Sequence, residues 1–292
     1  MRDQRGFTLL EVMIASLIGV FLMASLVNLF VTTNKSISLS DGLSQNQEVG
    51  RFAMDYLTRY IRQAGYTSDF TQHAPALLMK TDEANCIDNP DLAACNSASL
   101  LVITCANGAE KEACSADNPT DILGDRLAIT SVADAGSLSC TGTALAIDSQ
   151  IANVFWVSAD TDTKYELRCR TYDYANKSWL DNPVSIVNNV ESFEFQVGVA
   201  ASTSDRNANR YVSMSTLESD RSITLDNVRG IRIAILTSSR DELHEKKNQT
   251  SIQERKYNLL DGPVISTNDG NLRNIFSNTI ELPNLIERAA FN

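Results

Sequence analysis

The feature that most restricts this chain lies at its start. From Phe7 to Val31 runs the segment FTLLEVMIASLIGVFLMASLVNLFV, whose one charged residue is Glu11. As an α-helix it would extend about 37 Å, enough to cross the hydrocarbon layer of a membrane. Arg2 and Arg5 precede it, and that basic flank predicts an N-terminus held in the cytoplasm with the rest of the chain sent outward. A secretory signal has a shorter apolar core of about 7 to 15 residues ahead of a small-residue cleavage site. The run here exceeds that length, and LMAS makes only a weak site. A carboxylate among hydrocarbon costs several kcal/mol unless an opposite charge accompanies it, so Glu11 needs a partner.

Beyond Val31 the sequence turns polar, yet no helix stop appears before Gly65. Val49, Phe52, Ala53, Tyr56, Leu57, Tyr60, Ile61 and Ala64 recur at spacings of three and four, which draws one apolar stripe along a helix. Arg51, Asp55, Arg59 and Arg62 fall off the stripe. Gly65 then stands where a left-handed C-cap is expected. Between the two halves, residues 32–48 are rich in Ser, Asn and Gln, and Gly42 and Gly50 each cost a helix about 1 kcal/mol relative to Ala. The expectation is one helix from Phe7 to about Ala64 with a flexible middle, its first half a membrane span and its second half packed on a head.

After Gly65 the period changes to two. In SFEFQVGV, Phe193, Phe195, Val197 and Val199 point one way, and Glu194 and Gln196 point to an expected wet face. YELRCRT alternates in the same manner. LLVITC, RLAITSV, NVFWVSA, IRIAILTS and IFSNTIEL add further strand candidates between clusters of Asn, Asp, Gly and Pro. A long helix followed by strands is an α+β arrangement, here one or two antiparallel sheets with the helix laid against one of them. Residues 68–97 and 202–220 read as polar insertions, the second polar enough to be mobile. The predicted organisation is residues 1–6 as a leader, 7–31 as the membrane helix, 32–64 as its continuation, and 65–292 as a β-rich head.

The six cysteines are Cys86, Cys95, Cys105, Cys114, Cys140 and Cys169, with no CxxC pair among them. An even number confined to a loop-rich stretch suits an oxidising compartment. Spacing expresses only a preference: Cys86 with Cys95 and Cys105 with Cys114 would close two nine-residue loops, leaving Cys140 for Cys169. Buried free thiols are the alternative.

Chemistry is hard to find in the sequence. Its two histidines, His73 and His244, sit in polar contexts outside any metal-ligand spacing. There is no GxSxG, P-loop or GxGxxG. The carboxylates of DTDT at Asp160 and DNPD at Asp88 could hold Ca²⁺, but neither has the EF-hand pattern and a solvated turn is the better reading. Thirty-six acids against 25 bases give a net charge of −11, which argues against direct binding of nucleic acid. The reading is a non-enzyme with neither cofactor nor metal.

The junction RGFTLLEVMIA resembles the class III signal of type IV pilins and type II secretion pseudopilins. IVNNVESFEFQVGV, NVRGIRIAILTSS and NLRNIFSNTIELPNL resemble, in that order, segments of PilW-type minor pilins, which are similar in turn to the J pseudopilin of type II secretion. The resemblance implies that a prepilin peptidase cuts between Gly6 and Phe7, that Phe7 becomes N-methylated, and that Glu11 meets the methylated amine of a neighbouring subunit or its own. It further implies a single-pass protein of the bacterial inner membrane with a periplasmic head, later incorporated into an extracellular pilus. Its partners would be other minor pilins, the major pilin and the inner-membrane assembly platform, with room for a tip adhesin. The role would be assembly initiation or the tip complex, in service of twitching motility, adhesion or DNA uptake. A type II secretion pseudopilin and a membrane-anchored binding module remain the alternatives.

Overall fold

The computed structural model describes residues 8–67, 114–159, 165–174, 176, 178–220, 223, 227–239 and 254–285. Gly6, Phe7, Cys86, Cys95, Cys105, the LLVITC segment, the 68–97 insertion, both histidines and both acidic turns considered for Ca²⁺ lie outside the described residues.

A single helix, α1 (Leu9–Ile61), runs unbroken through the polar middle. Its continuity has a packing reason. Gly42, Asn46, Gly50, Ala53, Leu57, Ile61 and Ala64 are all buried, at spacings of four and three, so the stripe begins earlier than its apolar members suggest. Gly50 is a point of close approach: a Cβ there would fall 2.2 Å from the ring of Phe276. The expected bend is thus replaced by a helix that uses small residues to lie close on the head. The helix closes with the Arg62 N–H donating to the carbonyl of Thr58 at 3.1 Å, and Gly65 adopts φ +69° in the turn that follows, donating its N–H to the carbonyl of Thr130 at 2.9 Å.

Among the described residues the head holds two main antiparallel sheets. Sheet 1 holds β1 (Arg126–Val132), β2 (Gln150–Ala159), β3 (Tyr165–Asp173), β4 (Ser178–Trp179) and β5 (Val184–Asn188), with β4 and β5 both paired to β3. Sheet 2 follows the order β11-β8-β6-β7, from β6 (Val190–Val199), β7 (Arg210–Val212), β8 (Val228–Ser238) and β11 (Arg273–Glu281). A short helix, α2 (Met214–Ser219), follows β7. A ribbon of β9 (Arg255–Tyr257) and β10 (Ile265–Thr267) lies between β8 and β11 in the chain. The chain passes from sheet 1 to sheet 2 at Asn189, whose φ of +66° turns β5 into β6.

The core lies where the two sheets and α1 meet. Leu127, Phe155, Leu167 and Cys169 from sheet 1 join Phe193, Phe195, Ile231, Ile233 and Ile235 from sheet 2 and Leu57 and Ile61 from the helix. Sheet 2 is covered on its other face as well, where Ala234 and Leu236 of β8 pack against Ile265 of the ribbon and Leu259 of its connecting turn. That second cover corrects one expectation: Glu194, assigned to a wet face, is 2% exposed.

The expected mobility of residues 202–220 is also corrected. Arg229, itself buried, donates from Nε to the carbonyl of Asp205 and from a terminal nitrogen to that of Thr203, both at 2.6 Å. Ser213 caps α2 by accepting from the N–H of Thr216 at 3.1 Å, and Met214 and Leu217 enter the core. A polar sequence is here tied down by one buried guanidinium and two apolar anchors.

Candidate assembly site

The N-terminal end of α1 is built by its own sequence. Thr8 accepts from the N–H of Glu11 at 3.3 Å, and the Glu11 carboxylate receives the N–H of Thr8 at 3.0 Å and its hydroxyl at 3.1 Å. This reciprocal capping box satisfies two backbone donors and folds the carboxylate back over the helix start. Its signature, Thr-x-x-Glu, stands in TLLE, where the apolar run and the lone charge of Glu11 overshadow it.

From Thr8 to Ser38 every residue is exposed. Hydroxyls in this stretch bond within the helix: Ser16 to the carbonyl of Met13 at 2.9 Å, Ser25 to that of Phe21 at 2.9 Å, and Thr32 to that of Asn28 at 2.8 Å. Hydroxyls satisfied within the helix in this way suit a lipid or helix-bundle environment. The helix is long and apolar enough to cross a membrane.

The second half of α1 is joined to the head by polar contacts placed among the apolar ones. Asn46, fully buried, donates to the carbonyl of Leu272 at 3.1 Å and accepts from the hydroxyl of Thr237. Next to Leu272, Arg273 bonds Glu191 at 2.6 Å and Asp269 at 2.5 and 2.7 Å, tying the start of β11 to β6. Those two carboxylates, acting against the cost of burial, raise the Arg273 pKa.

Near the far end of the helix, Tyr56 donates to the carbonyl of Cys140 at 2.6 Å and Tyr60 to that of Ser139 at 3.2 Å. Burial pushes the Tyr56 phenol upward, so it remains a donor. Cys140 and Cys169 form a disulfide with Cα atoms 6.2 Å apart, which fixes the loop that receives both tyrosines to β3. Cys114 is also disulfide-bonded, and its partner lies outside the described residues. Among the described residues no group of three or more His, Cys, Asp or Glu side chains is arranged to hold a metal ion.

The sequence at the two ends of this arrangement matches known families. Residues 1–27 match the prokaryotic N-terminal methylation motif, and residues 154–284, from β2 past β11, match the type IV pilus-assembly protein W model. Together the two matches support a type IV pilus minor pilin. Members of the matched family are structural subunits, and the motif implies contact with other pilins and with a prepilin peptidase. No curated protein matches this chain. Among solved structures, a type IV-like pilin from Thermus thermophilus is 14% identical with a TM-score of 0.42, covering 85% of this chain and 98% of its own.

Proposed function

We propose that this minor pilin is cleaved between Gly6 and Phe7, methylated at Phe7, and drawn from the inner membrane into the initiating or tip complex of the pilus, with residues 7–31 as its membrane helix and its head in the periplasm. The observation that carries this reading is the division of α1. Its apolar half finds no cover among the described residues, whereas the other half is packed.

Cleavage would place an ammonium at Phe7, one residue before the Thr8 cap that holds the Glu11 carboxylate. Pairing that carboxylate with the amine of a neighbouring subunit would offset the cost of a charge in hydrocarbon and set the axial register between helices, as a buried polar residue does in a coiled coil. Contact with the major pilin, the assembly platform or a tip adhesin, and service in twitching motility, adhesion or DNA uptake, follow from that position in the complex.

The experiment compares Glu11→Ala with Gly6→Val in cells. Glu11→Ala is expected to be processed normally yet lost from co-purified minor-pilin complexes, and Gly6→Val to remain unprocessed. Wild-type recovery of the Ala variant in the complex, or normal processing of the Val variant, would count against the proposal.

A further inference from the structure

The outer face of sheet 2 hides a group of acids that assembly through α1 does not use. Glu194 is 2% exposed and Asp125 4% exposed, and their side chains share a hydrogen bond. Two carboxyl groups can do that only with a proton between them. Oε1 of Glu194 is buried without a hydrogen-bond partner. A Cβ on Gly262 would lie 2.2 Å from that oxygen and one on Gly124 would lie 3.0 Å from it, so two glycines from separate segments let the backbone close over the group.

Asp125 ties its own segment to β6. It accepts from the N–H of Asn118 at 2.9 Å and from that of Phe195 at 3.1 Å, and its N–H donates to the carbonyl of Phe193 at 2.7 Å. The charges acting on Glu194 are those of Asp125, Asp261 and Asp117, all acidic. The cations nearby in the chain or register are otherwise engaged or exposed. Arg126 donates from Nε to the carbonyl of Cys114, Arg232 lies over the ring of Tyr211, and Arg255 and Lys256 of the ribbon are exposed.

We propose that Glu194 and Asp125 form a proton-operated latch: with the proton shared, the pair holds the 118–125 segment and the 259–262 turn against β6, and its loss releases both. The turn belongs to the connection whose Leu259 covers Ala234 and Leu236, so release uncovers an apolar strip of sheet 2. The 118–125 segment lines a pocket of about 370 Å³ with Trp156, Trp179 and Arg170, so release also opens that wall.

Burial and the neighbouring acids raise the pKa of both groups. The closed state therefore keeps a proton that the open state surrenders once its carboxyls return to water, near pH 4. Opening is unaffected below that value. Above it, opening becomes easier, by up to about tenfold per pH unit for each proton the closed state retains, until the raised pKa values are reached.

Hydrogen–deuterium exchange on the full chain in detergent micelles tests this at pH 6 and pH 9, after correction for intrinsic exchange. Protection of residues 118–125 and 257–262 is expected to fall by about 100-fold or more with β1 and β2 unchanged, and Glu194→Gln, neutral at both values, is expected to remove the difference. Equal wild-type protection at the two pH values, a uniform loss across the head, or an undiminished drop in the Gln variant would each overturn the latch. If Glu194→Gln fails to fold, the wild-type contrast between those segments and β1–β2 decides alone.

Discussion

The two halves of α1 are continuous in backbone and opposite in surroundings. The first, through Ser38, is exposed at every described position and carries Leu, Ile, Val, Phe and Met on all sides. The second is amphipathic and is buried along a stripe that includes two glycines and an asparagine. A helix apolar all round belongs in lipid or a bundle, whereas an amphipathic one belongs on its own domain. The difference assigns separate tasks to one helix: its second half fixes the direction in which the first leaves the head.

That contrast can be broken at several points. Arg273→Ala would leave Glu191 buried without its main partner and loosen the start of β11 beneath α1. Denaturant unfolding of the full chain in detergent should show a loss of about 3–5 kcal/mol in head stability. Replacing Cys140 and Cys169 with Ser removes a cross-link between residues 29 apart in sequence, and about 3–4 kcal/mol should disappear from the same measurement.

Asn46→Ala strips Leu272 and Thr237 of a buried partner. A loss of about 1–3 kcal/mol is expected, with faster hydrogen exchange along residues 42–57 of the helix. Leu17→Ala, in the exposed half, sharpens the comparison from the other side. It should shift the head by less than about 0.5 kcal/mol, and a larger shift would mean that the apolar half contributes to the fold of its own chain.

Much of this architecture can be read from the sequence because strand and helix periods are local. RLAITSV coincides with β1, and NVFWVSA, YELRCRT, SFEFQVGV and IRIAILTS fall within β2, β3, β6 and β8. The stripe from Ala53 to Ala64 was equally visible. What the sequence hid depends on a partner surface. Gly42 and Gly50 read as weak points in a helix, and only the ring of Phe276 reveals why a side chain is unwelcome at Gly50.

Asn46 looked like one more polar residue in a polar stretch until Thr237 and Leu272 were brought to it across about 200 residues. Glu194 misled for a related reason: alternation predicts which face a residue takes, but not whether a second layer covers that face. Arg229 carries no local signal either, since its acceptors are carbonyls of a loop that sequence composition describes as mobile. At the N-terminal end, TLLE announces a capping box, while the proposed pairing of Glu11 with a neighbour's amine would involve a group created only by cleavage at Phe7.

The central claim is that the apolar half of α1 stays on the mature protein as a surface for other subunits. Mass spectrometry of the N-terminus, on protein extracted from cell membranes, tests it most directly. The account predicts a chain beginning at Phe7 and carrying one added methyl group on its amine. A chain still beginning at Met1, or one cut beyond the apolar run, would contradict it.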